Sequence, residues 1–341
     1  GYYSGDMHIH YPVNVVARHI LAEDVNLGTC ISSWVTGQDS AQHTAEVDHI
    51  RKINQRHTYS INDQEIERFP IDTYDGPVYL VNLRRQIHLE SPGPFFPMNV
   101  EYQRKAREAG GVVCLHSAAF QDAAVSVALG EVDAVGVACN FFAYSHSLTR
   151  VKKYGNADDL ALYGDTPWGT LQMTLGKYYR LLNCGFRLPA SAGSAAGVKP
   201  NPVGHNRTYV RIAGDFSYES YFDAFKAGRS FVTNGPMLFL TVNERGPGET
   251  IALTGNGARK LRVSVKAHWN RPIESIEIIA SGDVIQSFEP QGNIQHVDGS
   301  FDWNPQQGGW IAARVFGEKT LPIRFAHTSP IYIQMPSRPP D

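Results

Sequence analysis

Cysteine is scarce: four residues in 341, at positions 30, 114, 139 and 184, with no C-x-x-C pair. That spacing excludes a disulfide scaffold and a thiolate zinc ribbon. Three of the four sit in apolar runs, such as Gly111-Val112-Val113-Cys114-Leu115, where a buried inert thiol is expected. Long apolar runs are also missing. None reaches the ~18–20 residues of a spanning helix, so no membrane span is expected. Nor is there an excess of one charge: 31 Lys+Arg face 33 Asp+Glu, for a formal net charge of −2. That balance excludes a nucleic-acid binder resting on phosphate neutralisation. There is no G-x-S-x-G elbow, which counts against a serine esterase. Residues 191–197 are rich in glycine and serine but lack the P-loop lysine and the G-x-G-x-x-G spacing. They read as a flexible mouth loop. The chain opens Gly1-Tyr2-Tyr3 without Met or signal peptide, which reads as a processed or excised chain, export included. The one sequon, Asn206-Arg207-Thr208, reads as chance.

What is present is core and imidazole. Apolar residues make up 42% and charged residues 19%, enough for one large domain or two. Short apolar strands are expected at 7–10, 29–34, 78–83, 112–116, 134–139 and 208–212. Helices are expected at 15–24, 41–55, 100–109, 123–129, 171–182 and 218–227. Glycine stops stand at Gly110-Gly111 and Gly228. Strands alternating with helices imply βα units in a parallel sheet or barrel, and ~235 residues suit a barrel. After Asn234-Gly235-Pro236 the pattern becomes strand upon strand. Leu261, Val263, Val265 and Ala267 alternate with Lys260, Arg262, Ser264 and Lys266, the period of a half-buried strand. Further strands at 276–279, 310–315 and 331–333 predict a small β-sandwich, with Trp269, Trp303 and Trp310 in its core or against the barrel. The expected division is 1–235 and 236–341.

Thirteen histidines direct attention to metal chemistry. In Gly5-Asp6-Met7-His8-Ile9-His10, residues two apart on a strand share a face, so His8 and His10 project together. Two neutral imidazoles so placed suit a divalent metal, although strand histidines are also often exposed or satisfied in a core. Glu65 lies just before a Phe-Pro break, His116 follows the apolar strand at 112–115, and His146 follows the stretch 134–139. Polar residues at strand ends crowd the C-terminal mouth of a βα barrel. Ordinary loop polarity is the alternative for each.

The first motif resembles that of the PHP superfamily (polymerase and histidinol phosphatase). The whole chain is more narrowly similar to the CehA/McbA branch of metallohydrolases. The similarity rests on Ala22-Glu23-Asp24, Leu182-Asn183-Cys184-Gly185-Phe186-Arg187, Pro202-Val203-Gly204-His205-Asn206-Arg207, Arg229-Ser230-Phe231-Val232-Thr233-Asn234-Gly235-Pro236 and Ala326-His327-Thr328-Ser329-Pro330-Ile331-Tyr332. The resemblance implies a distorted (β/α)7 barrel with up to three metals at its mouth. It assigns His8 and His10 to the first motif, Glu65 to the bridging carboxylate, and His116 and His146 to later ligands. Two positions depart from the pattern. Trp34 stands where the second strand commonly ends in Asp-His, and Gly193-Ser194 is followed by Ala195-Ala196-Gly197 rather than Asp-x-His. Losing both places removes the third metal. One or two ions remain, the first at His8, His10 and Glu65, the second at Glu65, His116 and His146. Zinc is the first choice, with manganese or iron as alternatives.

The implied activity is hydrolysis of a carboxyl ester, carbamate or phosphoester in a small-molecule substrate by metal-activated water. Asp24 would orient a ligand, with a solvated or capping carboxylate as the alternative. Arg68, Arg150, Lys199 and Arg207 are cations near the presumed mouth. Of the polar residues there, Arg150, His205 and Arg207 are the candidate substrate contacts, and His205 could also replace a lost ligand. The competing reading is a non-catalytic binding or structural protein on a degenerate PHP scaffold.

Overall fold

The computed structural model describes residues 1–36, 48–67, 76–89, 98–144, 150–253, 260–320 and 322–335. The first half carries β1 (Tyr2–Ile9), α1 (Val13–Ala22), β2 (Leu27–Val35), β3 (Ile50–Lys52), β4 (Thr58–Ile66), β5 (Val78–Val81), α2 (Asn99–Glu108), β6 (Val112–Leu115), α3 (Ala123–Ala128) and β7 (Ala134–Ala138). Then come α4 (Val151–Tyr154), α5 (Ala157–Tyr163), α6 (Pro167–Asn183), β8 (Ala190–Ala192), β9 (Arg207–Arg211), α7 (Tyr218–Lys226) and β10 (Ser230–Thr233). The remainder is strand: β11 (Met237–Val242), β12 (Thr250–Ala252), β13 (Leu261–His268), β14 (Ser275–Ala280), β15 (Asp283–Phe288), β16 (His296–Trp303), β17 (Gly309–Glu318), β18 (Arg324–Thr328) and β19 (Ile331–Gln334).

Period two explains β1. Met7 and Ile9 point into apolar cores, and Asp6 and His8 take the opposite, polar face. Both faces are buried, as in a parallel sheet covered on each side. β1 runs parallel to β2, β2 to β4, β6 to β7 and β7 to β8, with β5 inserted antiparallel between β4 and β6. On its other side β1 meets β9, then β10, then β18, all antiparallel. The result is a mixed α/β fold built on one large mixed sheet.

That sheet curls. Strands spaced ~4.8 Å apart would place β1 and β6 ~19 Å apart in a flat sheet, yet the rings of His8 and His116 lie 6.3 Å apart. From the other end, Ala196 just past β8 forms a parallel bridge with Ile9, and its carbonyl accepts from His10 N at 2.8 Å. No continuous ladder closes the sheet among the described residues: the expected distorted barrel is seen here as a rolled mixed sheet whose ends meet at the Ile9–Ala196 bridge and at Asp6.

The expected helix at 41–55 is corrected in part. Residues 41–47 lie outside the described residues, and Ile50–Lys52 forms β3 instead. The strand β4 was not expected at all. Its polar run Asn62-Asp63-Gln64-Glu65 is buried, satisfied by partners far along the chain: Asn62 donates to the Arg84 carbonyl, and Gln64 donates to the Ile87 carbonyl at 3.1 Å. α2 and α7 do stop at glycines, Gly110 (φ 81°) and Gly228 (φ 69°). No described helix is long and apolar enough to cross a membrane.

Beyond β10, the sheet β11-β13-β16 lays Leu238, Leu240, Leu261, Val263 and Val265 on Ile276, Ile278, Ala313 and Val315 of the large sheet, in one core. The β10–β18 pairing carries the large sheet across the expected 235/236 division. A buried polar joint reinforces the union. His327 of β18 meets the Thr328 carbonyl through Nδ1 at 2.7 Å and the Tyr179 hydroxyl of α6 through Nε2 at 2.8 Å. A carbonyl only accepts, so Nδ1 carries the proton and Nε2 accepts from Tyr179. Burial, then the nearby Arg314 charge, pushes His327 down to about 3. Its unfolded value is ~6.5, so the unfolded chain takes up the proton first as pH falls. The stability from this neutral histidine is complete above pH ~6.5 and is lost as pH drops toward 3, by up to ~1.4 kcal/mol per pH unit. Urea unfolding between pH 7 and 4 should show that slope, and His327→Gln should reduce it by up to one proton's worth. An unchanged slope would remove His327 from the acid response.

Candidate metal site

The C-terminal ends of the parallel strands gather the polar residues. His8 is the penultimate residue of β1 and His10 lies just beyond it, Glu65 is near the end of β4, His116 follows β6, and Asn140 follows β7. His8 Nε2 lies 2.8 Å from His10 Nε2 and 3.2 Å from Glu65 Oε2, and His10 Nε2 lies 2.9 Å from the same oxygen. All three side chains are buried to within a few per cent.

The triangle is frustrated without a cation. Glu65 Oε2 offers only lone pairs when ionised. A hydrogen bond between the two nitrogens needs one to donate and one to accept, and the accepting nitrogen then turns a lone pair toward the carboxylate. Putting protons on both nitrogens sets two donors against each other. An ion at the centre takes all three lone pairs at once. Tetrahedral ligands at ~2.0–2.1 Å sit ~3.3 Å apart, close to the edges of this triangle. The buried His8/His10/Glu65 cluster can therefore hold a metal ion.

Burial alone would raise the Glu65 carboxyl, but the charge and hydrogen bonds of His8 and His10 outweigh it and hold it well below its ordinary value. Glu67 is pushed up to about 7 by burial and then by the charge of Glu65. His116 falls to about 4, chiefly through burial. Its Nε2 contacts Asn140 Oδ1 at 2.6 Å, so Nε2 carries the proton, and its buried Nδ1 has no partner.

These groups open on a cavity of about 230 Å³. Phe120, Phe141 and Tyr154 form an aromatic wall, and Lys153 and Lys199 bring positive charge. Trp34 lies on His10, ring centroids 5.0 Å apart, and donates from Nε1 to Glu67 at 2.9 Å. It serves as one wall of the cavity.

The expected flexible loop at 191–197 is corrected: residues 191–196 are buried and form the back of the site. A Cβ on Gly193 would come within 2.6 Å of His8 Cβ. Gly197, at φ 102°, would set a Cβ 2.9 Å from the Tyr11 backbone nitrogen. Small residues here are the condition for the backbone to lie against β1. Asp6 locks the arrangement, accepting from His8 N and Ser194 N at 3.0 Å each and from Gly204 N at 2.7 Å.

The other expected residues scatter. His146 and Arg68 lie outside the described residues. Asp24 does not reach the cluster: it sits beyond α1 and pairs with His57 at 2.8 Å. Arg207 binds the carbonyls of Gly204 and Glu23, tying a loop to the end of α1. His205 stands outside the His8/His10/Glu65 cluster, its Nε2 accepting from Arg324 at 3.2 Å, and burial and then that charge push it down to about 3. Arg150 stands exposed ahead of α4 and lines no part of the cavity, whereas Lys153 of the same helix does. Asn206 is fully buried, and its amide donates to the Cys139, Phe142 and Gly193 carbonyls, which excludes glycosylation of this conformer. Sequence reasoning missed Asn140 and Lys153. Asn140 obeys the same strand-end rule as His116, but an amide carries no metal signature.

No family model matches the chain, and a search of curated proteins found no significant match.

Gly193→Ala should displace His8, cost ~1–3 kcal/mol and weaken zinc retention ~tenfold or more, as measured by competition with a chromogenic chelator. Gly214→Ala, whose Cβ meets nothing within 4 Å, should change neither. Equal retention by both variants would show that the close approach does not set the ligand geometry.

Proposed function

We propose that this chain is a metal-dependent hydrolase of the PHP type, with one zinc-class ion at His8, His10 and Glu65, cleaving an ester-type bond in a small molecule. The observation that carries the reading is the three-atom triangle, which with Glu65 ionised no arrangement of imidazole protons satisfies but one cation does. Three protein donors leave a coordination position for water. When bound, such an ion lowers the pKa of its water from about 15.7 toward ~7 and so supplies hydroxide at neutral pH.

The remaining work falls to the chain itself. Glu65, held ionised, contributes the anionic ligand. Asp6 fixes the backbone of His8, and the Ala196 carbonyl fixes that of His10. Lys153 and Lys199 face the cavity and make no ion pair with a described residue, so they can receive an anionic portion of the substrate. Phe120, Phe141 and Tyr154 exclude water on one side and raise the weight of each electrostatic contact. A second ion would need His116 and His146 together. Two imidazoles and one carboxylate form a catalytic zinc donor set and equally an iron(II) one, so elemental analysis decides between the two metals.

Purified protein should retain close to one equivalent of metal by elemental analysis and hydrolyse 4-nitrophenyl acetate or bis(4-nitrophenyl) phosphate in a chelator-sensitive way. His8→Ala and Glu65→Gln should each lower metal content and reduce turnover at least ~100-fold with the fold intact by circular dichroism. Metal bound without turnover on any ester, carbamate or phosphoester probe would leave a binding protein. A chain that takes up no metal would remove the reading altogether.

A further inference from the structure

A second cavity lies away from the histidine site. It measures about 360 Å³ and lies at the opposite end of β1, where Tyr2 begins the strand. Six residues separate Tyr2 from His8, a distance of ~20 Å along an extended chain. The two cavities share no lining residue.

Two features give this second cavity a chemical character. The first is aromatic. Tyr2 meets Phe239 edge-on at 5.1 Å, Phe239 meets Phe231 at 5.5 Å, and Phe231 meets Tyr2 at 5.8 Å. This three-ring cluster lines the cavity where β1 and β10 approach β11. Such a surface favours a flat apolar ring, by edge-to-face contact and by burial. The second is cationic. Arg211 stands directly opposite Tyr2 in the β1–β9 ladder, so the two side chains share a face. Its backbone nitrogen donates to the Arg229 carbonyl at 2.7 Å, and both side chains line the cavity.

Neither guanidinium makes a hydrogen bond or an ion pair among the described residues. Two carboxylates share the cavity, and the Arg211 charge helps to lower the pKa of Glu249, but neither carboxylate forms an ion pair with either arginine. Glu249 accepts its hydrogen bonds from Arg245 at 3.0 Å on one oxygen and from Gly246 N at 2.6 Å on the other. Asp223 lines the cavity without pairing with either arginine. Exposed arginines are commonly solvated, but here two project into one concavity beside a cluster of rings. A guanidinium is a planar fork matched to a carboxylate, and it is weakly hydrated enough to exchange water for one.

We infer that this cavity binds a small aromatic carboxylate, its ring on Tyr2 and Phe239 and its carboxylate between Arg211 and Arg229. The volume suits a one- or two-ring molecule. The site is separate from the metal cluster and does not depend on the hydrolase reading.

The probe is 2-naphthoate, titrated calorimetrically into the full chain, with neutral 2-naphthalenemethanol as comparison. One saturable site for 2-naphthoate is expected, with the neutral analogue at least ~tenfold weaker. Arg211→Ala/Arg229→Ala should weaken 2-naphthoate by ~tenfold or more, and Arg211→Lys/Arg229→Lys by less. His8→Ala should leave the affinity unchanged. Non-saturable binding, equal affinity for acid and alcohol, or equal affinity in the double-alanine variant would each overturn the assignment. A loss on His8→Ala would move the binding to the metal cavity and overturn it too. Both arginines are exposed, and should the alanine pair fail to fold, the lysine pair and the neutral analogue still decide.

Discussion

The carboxylate of Asp6 holds the site end of the molecule together. It is fully buried and accepts three backbone N–H groups from three places in the chain: its own strand, the segment after β8 and the turn before β9. Burial raises its pKa, while the donors at Gly204, Ser194 and His8 oppose that rise. Hydrogen bonds to a charged acceptor are about twice as strong as neutral ones, and removing such an acceptor would strand three buried donors. The consequence is geometric. With Asp6 in place, residues 193–197 are drawn onto β1, the sheet rolls, and the ends of β1, β4 and β6 converge.

Convergence then sets the electrostatics. Glu65 and two imidazoles share a pocket from which bulk water is largely removed, so each charge acts strongly on its neighbours. Glu65 stays ionised because the histidines stabilise it, and Glu67, two residues on and on the same strand face, is raised in turn by Glu65. His116 stays neutral because burial penalises its cation. The buried Nδ1 atoms of His8 and His116, without a hydrogen-bond partner among the described residues, carry an added desolvation cost. A fold maintains such a concentration of awkward polar groups only when backbone packing overdetermines their positions, and the small residues behind His8 supply that packing.

How much of this was legible in the sequence depended on where each residue's partner lay. His8 and His10 were legible because period two is a local property of a strand, as were the alternating core residues of β13. The strand-end placement of His116 followed from the apolar run before it. Glu65 was singled out, but its strand was not, because Asn62, Asp63 and Gln64 look like a loop until the backbone at 83–87 arrives to satisfy them. Asp24, His205 and Arg207 were selected for chemistry that nearer partners consume: His57, Arg324 and two loop carbonyls. The glycines and alanines at 193–197 were read as freedom, yet their smallness permits contact.

The same distinction bears on substrate. A rolled sheet with polar strand ends accommodates many chemistries, and the fold does not select among them. On that reading selection would rest with the cavity wall, where Trp34 covers His10 and Lys153 and Lys199 stand beside Glu65 and Glu67. The indole of Trp34 narrows the space above the His8/His10/Glu65 cluster. If the chain is the hydrolase proposed above, its choice of substrate would be governed by what can pass Trp34 and be met by two lysines beside two carboxylates, and the ligand triangle below would determine only the chemistry performed on it.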